Sequence, residues 1–279
     1  MRKSFVIGWP ISHSRSPIIH KYWLRTNGIS GDYLKIEVSP EALPAFVSGL
    51  VRSDFVGGNV TVPHKQPILK LLDHVEPAAR AIGAVNTVWI DSGKRLGTNT
   101  DAAGFITHLQ TMVPSWAQSD FGAVLVLGAG GAARAVIYGL LDVGVERIIV
   151  ANRTIANAEE LVRHFGDRVH AADWNDIARL SRDVSLLVNT TTLGMDGAPA
   201  LEFDVTQLRQ DCVVFDIVYV PLETRLLALA RERGLRTVDG LGMLLHQAVP
   251  GFEMWFGTRP LVCSELRDLV VADLEKKRC

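Results

Sequence analysis

The sequence has no long hydrophobic run and no block of charge of one sign. Its formal net charge of −1 argues against a nucleic-acid-binding or membrane-surface protein, because both need concentrated positive charge. No segment approaches the roughly 20 consecutive apolar residues of a membrane helix. Gly8 and Pro10 interrupt the apolar stretch behind the basic start, Met1-Arg-Lys3, so no signal peptide is expected. We therefore expect a cytoplasmic protein with small-molecule partners.

Cysteines and metal-ligand motifs are equally scarce. The three cysteines, Cys212, Cys263 and Cys279, are far apart and form no C-x-x-C pair. This spacing is typical of reduced, inert thiols rather than of disulfides or a metal site. The 8 histidines show no H-E-x-x-H or other ligand spacing, so no metal site is expected.

Apolar residues, in contrast, are plentiful. They make up 48% of the 279 residues, which is enough to build one large core or two ordinary ones. In the N-terminal third, short apolar segments alternate with amphipathic ones, which predicts a β/α unit with a mixed sheet. Strands are expected at residues 5–8, 33–38, 58–62, 84–90 and 95–99. Helices are expected at residues 16–27, with Ser16 as N-cap, at residues 40–50, and from about His64.

The rest of the chain predicts a Rossmann-type, doubly wound parallel sheet. Strands are expected at residues 123–127, 147–151, 169–171, 186–190 and 213–218, with a sixth that ends within residues 237–242. Helices are expected at residues 101–112, 242–256 and 264–277. The last two should return to the first unit. The chain then divides into a substrate domain, residues 1–101 with 241–279, and a cofactor domain, residues 102–240.

A glycine-rich turn follows the strand at residues 123–127. Gly128, Gly130 and Ala133 fit the spacing G-x-G-x-x-G/A of a dinucleotide-binding turn. The first glycine permits the tight turn, the second admits a pyrophosphate, and the alanine allows helix and strand to pack closely. Ala129, Gly131 and Ala132 complete the loop, whose following helix offers free N–H groups to the phosphates.

The next strand ends in Asn152, Arg153 and Thr154, where an NAD-binding chain usually carries an acidic residue. A guanidinium with two neutral hydrogen-bonding groups suits the 2′-phosphate of NADP, which a carboxylate would repel. The sequence therefore predicts NADP as the cofactor.

Polar side chains also follow strands in the N-terminal unit. Ser14 and Ser16 precede a helix, where a carboxylate is readily bound. Asn59, Thr61 and Asn86 lie at or near strand ends, where open β/α sheets bind their ligands. These groups could therefore converge on one small polar molecule.

Lys65 and Asp101 are the ionisable pair best placed for proton transfer in a ketone–alcohol oxidoreductase. The ammonium can donate to a developing alkoxide, and the carboxylate can orient it. Each feature has a plainer interpretation when taken alone. The serines and Asp101 could only cap helices, Lys65 and Arg153 could be surface residues, and the glycines could serve packing alone. Their clustering favours the functional interpretation.

Seven motifs, in this order, resemble those of the shikimate dehydrogenase family. They are Pro10-Ile-Ser-His-Ser-Arg-Ser-Pro17, Gly58-Asn-Val-Thr-Val-Pro-His-Lys65, Gly83-Ala-Val-Asn-Thr87, Asn99-Thr-Asp101, Gly128-Ala-Gly-Gly-Ala132, Asn152-Arg-Thr154 and Asp239-Gly-Leu-Gly-Met243. The resemblance implies NADP-linked interconversion of 3-dehydroshikimate and shikimate, in a monomer or homodimer. It implies that Lys65 and Asp101 are catalytic, and that Ser14 and Ser16 bind the substrate carboxylate.

The resemblance also implies roles for residues that no local pattern indicates. Asn59, Thr61, Asn86 and Gln247 would meet the ring hydroxyls, and Tyr219 would close on the carboxylate side. Gly240 and Met243 would flank the nicotinamide, with Thr190 and Ile217 completing the cofactor set.

The sequence departs from the family pattern at Asn157, where many NADP-dependent members carry a second basic residue. This weakens the NADP preference without removing it. Thr192 replaces a frequent serine, and His64 stands where phenylalanine is common, with no role expected beyond lining the site. The alternatives are a quinate/shikimate dehydrogenase with NAD preference, an aminoshikimate-pathway paralogue, and a non-catalytic NADP-binding module. The last predicts loss of Lys65 or Asp101, and both are present.

Overall fold

The computed structural model describes residues 1–118 and 122–276 of the chain. They fall into two units, Met1–Asp101 with Leu245–Cys279, and Ala102–Leu244. Each unit is built on a six-stranded sheet within these described residues. Cys279 and the predicted end of the last helix, residue 277, lie outside them.

The first unit has a mixed sheet with the strand order β2-β1-β3-β5-β6-β4. Its strands are β1 Arg2–Gly8, β2 Gly31–Glu37, β3 Phe55–Val60, β4 His74–Val75, β5 Thr87–Asp91 and β6 Lys94–Thr98. β1 pairs in parallel with β2 and β3, whereas β5 runs antiparallel to both β3 and β6. Its helices include α1 Ser16–Thr26, α2 Leu43–Gly49 and α3 Pro77–Ile82.

The second unit has an all-parallel sheet with the order β12-β11-β10-β7-β8-β9. The strands are β7 Ala123–Leu127, β8 Ile148–Asn152, β9 Val169–Asp173, β10 Val184–Asn189, β11 Val213–Asp216 and β12 Arg236–Val238. This is the doubly wound order, with the chain reversing direction across the sheet between β7 and β10. Apolar clusters cover both faces, so every residue of β7 is buried.

The remaining helices begin with α4 Asp101–Met112, α5 Gly131–Asp142 and α6 Ile155–Phe165. They continue with α7 Ile177–Leu180, α8 Arg225–Glu232, α9 Gly240–Phe256 and α10 Ser264–Lys276. In the part of the chain that is described, no helix is both long and apolar enough to cross a bilayer. The predicted fold class, α/β with a mixed sheet and a Rossmann-type sheet, is confirmed.

Several predicted boundaries are wrong. The predicted helix from about His64 is a turn that leads into a short 3₁₀ helix, Pro67–Leu71. Pro63 and Pro67 explain this difference, because each lacks a backbone N–H and restricts the residue before it. Strand β3 also ends at Val60, so Thr61 lies beyond it. The N-cap of α1 is Arg15, and Ser16 is the first helical residue rather than the cap.

Candidate active site

Strand register brings the polar segments of the first unit to one edge of its sheet. Asn59, near the end of β3, pairs with Thr87 at the start of β5, and Thr87 pairs with Thr98 at the end of β6. Because β1 and β3 are parallel, the end of β1 lies at this edge too. The segments that carry the predicted substrate residues therefore meet there.

Lys65 and Asp101 form a close ion pair at this edge. The Lys65 Nζ lies 2.6 Å from Asp101 Oδ2, with side-chain exposures of 28% and 14%. Asp101 is the first residue of α4, and its N–H donates to Asn99 Oδ1 at 2.9 Å. The pair is thus fixed yet accessible, as proton transfer to a bound molecule requires.

Asn86 connects this pair to residues from distant parts of the chain. Its Nδ2 donates to Asp101 Oδ1 at 2.8 Å, to Thr100 Oγ1 at 3.0 Å and to Gln247 Oε1 at 3.3 Å. Its Oδ1 accepts from the Thr100 N–H at 2.8 Å and from Thr87 Oγ1 at 2.9 Å. The α9 residue Gln247 therefore reaches the same cluster, 161 positions along the chain from Asn86.

Asn59 is the second amide of the cluster. Its Nδ2 donates to the Asn86 carbonyl and to Thr87 Oγ1, both at 3.2 Å. Its Oδ1 accepts a hydrogen bond from the Tyr33 hydroxyl at 2.6 Å. Tyr33 was not predicted as a site residue, since nothing in its local sequence indicates a partner in another strand.

Ser14 and Ser16 bracket a buried arginine at the start of α1. Ser14 Oγ donates to Ser16 Oγ at 3.3 Å and accepts from the Ser16 N–H at 3.4 Å. Between them, Arg15 places its Nε 2.7 Å from Asp273 Oδ2 and donates from Nη1 to the His13 carbonyl at 2.8 Å. Arg15, the N-cap residue of α1, makes no side-chain capping hydrogen bond, and the first N–H of the helix is bonded by the Ser14 hydroxyl instead.

Thr61 and Tyr219 are two further predicted substrate residues, and His64 was expected only to line the site. Thr61 is partly exposed and donates its N–H to the Ile7 carbonyl at 2.9 Å. His64 is buried, and its Nε2 lies 2.7 Å from the Val38 carbonyl oxygen, so its role is structural. Tyr219 belongs to the second unit, in the segment after β11.

The glycine turn of the second unit follows β7. Gly128 has φ of +100°, and a Cβ there would lie 2.9 Å from Thr191 Cγ2 and 3.0 Å from Thr190 Oγ1. The fold itself therefore requires glycine at this position. At Gly130 and Gly131, in contrast, a Cβ would meet no atom within 4 Å. The open space at the N-terminus of α5 fits a pyrophosphate, and the first turn of that helix holds no acidic residue.

The residues after β8 offer polar groups and one guanidinium. Asn152 Nδ2 donates to the Thr154 carbonyl at 2.8 Å, which shapes the turn before α6. Arg153 and Asn157 are both exposed, and the first turn of α6 holds no acidic residue. This surface can receive a phosphate without repulsion from a carboxylate on that turn.

The other predicted cofactor residues are Thr190 and Ile217, just after β10 and β11, and the predicted nicotinamide residues Gly240 and Met243, in the first turn of α9. Thr190 Oγ1 donates to the Leu127 carbonyl at 2.7 Å, and the Ile217 N–H donates to the Asn189 carbonyl at 3.1 Å. A Cβ at Gly240 would lie 2.1 Å from the Ile217 carbonyl oxygen, so only glycine fits there. Met243, three residues on, is almost buried in the apolar layer on one face of the sheet.

A buried carboxylate that the sequence did not indicate supports these loops. Asp216 accepts from Thr224 Oγ1 at 2.7 Å, Asn189 Nδ2 at 2.9 Å and the Val218 N–H at 3.0 Å. Burial raises its pKa to about 6, and these hydrogen bonds oppose that shift. Within the described residues, no group of three or more His, Cys, Asp or Glu side chains is placed to hold a metal ion.

Three segments of the chain match known families. Residues 6–88 match the shikimate dehydrogenase substrate binding domain, and residues 113–218 match shikimate / quinate 5-dehydrogenase. Residues 240–262 match the shikimate 5′-dehydrogenase C-terminal domain. The matches follow the order of the motifs and span both units.

Individual relatives cover almost the whole chain. The chain is 54% identical to the shikimate dehydrogenase (NADP(+)) of Methylobacterium radiotolerans over 274 residues, 98% of this chain and 97% of that protein. The crystal structure of shikimate 5-dehydrogenase from Thermus thermophilus in complex with NADP(H) and shikimate is 36% identical, with a TM-score of 0.85 and 99% of each chain covered. Quinate dehydrogenase from Corynebacterium glutamicum in complex with NAD is 34% identical, with a TM-score of 0.89, 97% of this chain and 98% of that chain covered.

Proposed function

We propose, because the chain belongs to the shikimate dehydrogenase family, that it catalyses the reversible NADPH-dependent reduction of 3-dehydroshikimate to shikimate in aromatic amino-acid biosynthesis. The observation that carries this proposal is the ion pair of Lys65 with Asp101, joined to Asn86 and Gln247 at one sheet edge. A non-catalytic module would have no use for an accessible, pre-oriented ammonium at such a cluster.

The reduction adds a hydride, which bound NADPH supplies, to the carbonyl carbon, and it adds a proton to the carbonyl oxygen. The Lys65 ammonium places its positive charge at that oxygen and either transfers the proton itself or stabilises the alkoxide. Asp101 keeps the ammonium in position through the 2.6 Å contact and can accept a hydrogen bond from a substrate hydroxyl. In the reverse direction, the neutral amine of Lys65 accepts the alcohol proton.

The other residues of the first unit bind and orient the substrate. Ser14 and Ser16 bind the carboxylate with hydroxyl groups at the start of α1. Asn59, Thr61, Asn86 and Gln247 bind the ring hydroxyls, and Tyr219 is a further substrate-binding residue. Residues 1–101 with 241–279 thus serve as the substrate domain, and residues 102–240 serve as the cofactor domain.

The second unit binds NADP. Gly128 and Gly130 to Ala132 hold the pyrophosphate at the N-terminus of α5, where the open space at Gly130 admits it. Asn152, Arg153 and Thr154 bind the 2′-phosphate, while Ala129, Thr190, Ile217, Gly240 and Met243 line the rest of the cofactor site. A single guanidinium, with Asn157 in place of a second cation, supports a smaller preference for NADP over NAD than two cations would.

The enzyme is further proposed to work in the cytoplasm as a monomer or homodimer, with no nucleic-acid or membrane partner. Light scattering on the purified protein at two concentrations measures the subunit number. A tetramer or larger assembly would contradict this part of the proposal.

The function is tested by the rate of absorbance increase at 340 nm with four combinations, shikimate or quinate with NADP⁺ or NAD⁺. We expect the highest kcat/KM with shikimate and NADP⁺. No reduction of NADP⁺ by shikimate would refute the proposal. Faster turnover of quinate with NAD⁺ would favour a quinate dehydrogenase, the activity named for the relative from Corynebacterium glutamicum.

A further inference from the structure

Tyr33 is a buried tyrosine whose hydroxyl bonds Asn59 of the predicted substrate cluster. It lies in β2 with 0% of its surface exposed, and its hydroxyl donates to Asn59 Oδ1 at 2.6 Å. Burial raises its pKa well above the usual value, while hydrogen bonds with Ser16 and Asn59 oppose this effect to a smaller extent. The phenol is therefore neutral, and its one proton is committed to Asn59.

The Asn86 carbonyl can only accept a hydrogen bond, so it sets which end of the Asn59 amide faces it. The Nδ2 hydrogens reach the Asn86 carbonyl and Thr87 Oγ1 at 3.2 Å each, and Oδ1 then faces the Tyr33 hydroxyl, which donates to it. Both amide hydrogens are used within the protein, so only an oxygen lone pair of Asn59 remains for a ligand hydroxyl. A flipped amide would set its oxygen against the Asn86 carbonyl oxygen and lose that hydrogen bond.

Through Asn59, Tyr33 of β2 is connected to the rest of the amide cluster. A continuous set of hydrogen bonds runs from Tyr33 through Asn59 and Asn86 to Asp101.

The Tyr33 ring is held by contacts that do not involve its hydroxyl. His20 stacks on it with ring centroids 4.1 Å apart and an angle of 10° between planes, and the Trp255 ring lies 6.0 Å away. Burial lowers the pKa of His20 to about 3, so the stacked imidazole is uncharged. Replacing Tyr33 by phenylalanine therefore removes the hydroxyl while the ring packing is kept.

We propose that Tyr33 is a positioning residue that holds the Asn59 side chain in place for binding of a substrate hydroxyl. This inference rests on the proposed function for the identity of the ligand. Tyr33 is fully buried and acts on substrate binding through Asn59. Its loss should weaken shikimate binding while the chemical step at Lys65 continues.

The test compares Tyr33→Phe with Tyr22→Phe. Tyr22 is a matched control because it lies in the same unit and its hydroxyl bonds Cys263 and Glu265, away from the cluster. For Tyr33→Phe we expect the KM for shikimate to rise about five- to tenfold, with kcat within about twofold of wild type and the KM for NADP⁺ unchanged. Tyr22→Phe should leave kcat and the KM values for shikimate and NADP⁺ within about twofold of wild type, because its hydroxyl bonds groups away from the cluster.

A double-mutant cycle separates positioning from general damage. In an Asn59→Ala background, Tyr33→Phe should raise the KM for shikimate by much less than in wild type, because the residue it orients is gone. Equal effects in both backgrounds would overturn the proposal, and so would a KM for Tyr33→Phe within twofold of wild type. A loss of kcat that equals the KM effect, together with a lower unfolding midpoint, would show a merely structural role.

Calorimetric titration of shikimate into each variant gives the same comparison without turnover. A wild-type protein that binds shikimate but reduces no NADP⁺ would refute the proposed function and leave the Tyr33 comparison measurable. A wild-type protein that turns over while Tyr33→Phe binds shikimate normally would refute the inference alone.

Discussion

The predicted site of the first unit is made of side chains, and that of the second unit is made mainly of backbone groups and open space. In the first unit, side chains bond one another, as Asn86 does with Asp101 and Gln247. In the second unit, the site at β7 depends on backbone groups and on the absence of side chains, as the open space at Gly130 shows. The first arrangement fixes the direction of each donor and acceptor. The second offers a general cradle for phosphate and leaves specificity to a few residues such as Arg153.

This difference affects how each region should respond to substitution. Removing a side chain in the first unit leaves partners unpaired within a connected cluster, which costs more than a single isolated hydrogen bond. Adding a side chain in the second unit is harmful only where the backbone or the ligand needs the space. Four substitutions test this comparison.

Lys65→Ala should have the largest effect, because the first unit gives the proton-transfer role to one side chain. We expect kcat to fall by about 100- to 10,000-fold while shikimate still binds. Steady-state rates and a shikimate titration measure the two effects. The control is Lys70→Ala, an exposed lysine of the 3₁₀ helix Pro67–Leu71, which should behave as wild type. A near-normal rate for Lys65→Ala would remove it from its assigned role.

Gly130→Val should separate ligand space from fold space in the glycine turn. The site is open and its φ is −87°, so valine should leave the unfolding midpoint unchanged while the Kd for NADP⁺ rises about 100-fold. Gly128→Val should lower the midpoint itself, since φ is +100° and Thr190 and Thr191 are close. If Gly130→Val bound NADP⁺ normally, the pyrophosphate would not lie at that turn.

Asp216 is an exception in the second unit, because here a buried side chain supports the predicted site. Asp216→Asn tests this exception. Burial raises the pKa of Asp216 in the folded protein to about 6, above the usual value of an aspartate. Its stabilising contribution is therefore full at low pH and is lost as pH rises through 6. Relative to the asparagine variant, wild type should lose about 2 kcal/mol of unfolding free energy between about pH 4.5 and pH 7.5.

Denaturant unfolding at each pH measures that difference. Asp211→Asn is the control, because this exposed carboxylate pairs with Arg209 and its pKa is lowered. The difference in unfolding free energy between wild type and Asp211→Asn should change less with pH, and in the opposite direction. A pH-independent difference for Asp216→Asn would show that the carboxyl titrates normally in the folded protein.

Arg153→Ala should have the smallest effect, which is confined to cofactor choice. Loss of one exposed guanidinium should lower kcat/KM for NADP⁺ about tenfold and leave kcat/KM for NAD⁺ nearly unchanged. Asn157→Arg should act in the opposite direction by adding a second cation to the same turn. An equal loss of kcat/KM with NADP⁺ and with NAD⁺ would mean that Arg153 does not contact the 2′-phosphate.

The features predicted best from the sequence are those with a local cause. The turn at Gly128 was predicted because a positive φ and close packing demand glycine at fixed spacing. The parallel sheet followed from continuous apolar strands such as β7. The family resemblance is likewise confirmed by matches along the whole chain.

The features missed have distant causes. Tyr33 and Asn59 are 26 positions apart, and no local pattern indicates that they bond. Asp216 depends on Asn189, the last residue of β10, and on Thr224, the N-cap of α8. A helix was wrongly predicted from about His64 because the segment has an amphipathic pattern. Pro63 and Pro67 override that pattern. The placement of Gln247 beside Asn86 was expected only through the family resemblance.

The most direct test of the account is to mix enzyme, 3-dehydroshikimate and NADPH, and to measure NADPH consumption at 340 nm together with the product by chromatography. The account predicts one shikimate formed for each NADPH consumed, at a rate that Lys65→Ala lowers by about 100-fold or more. No NADPH consumption, or consumption without shikimate, would contradict it.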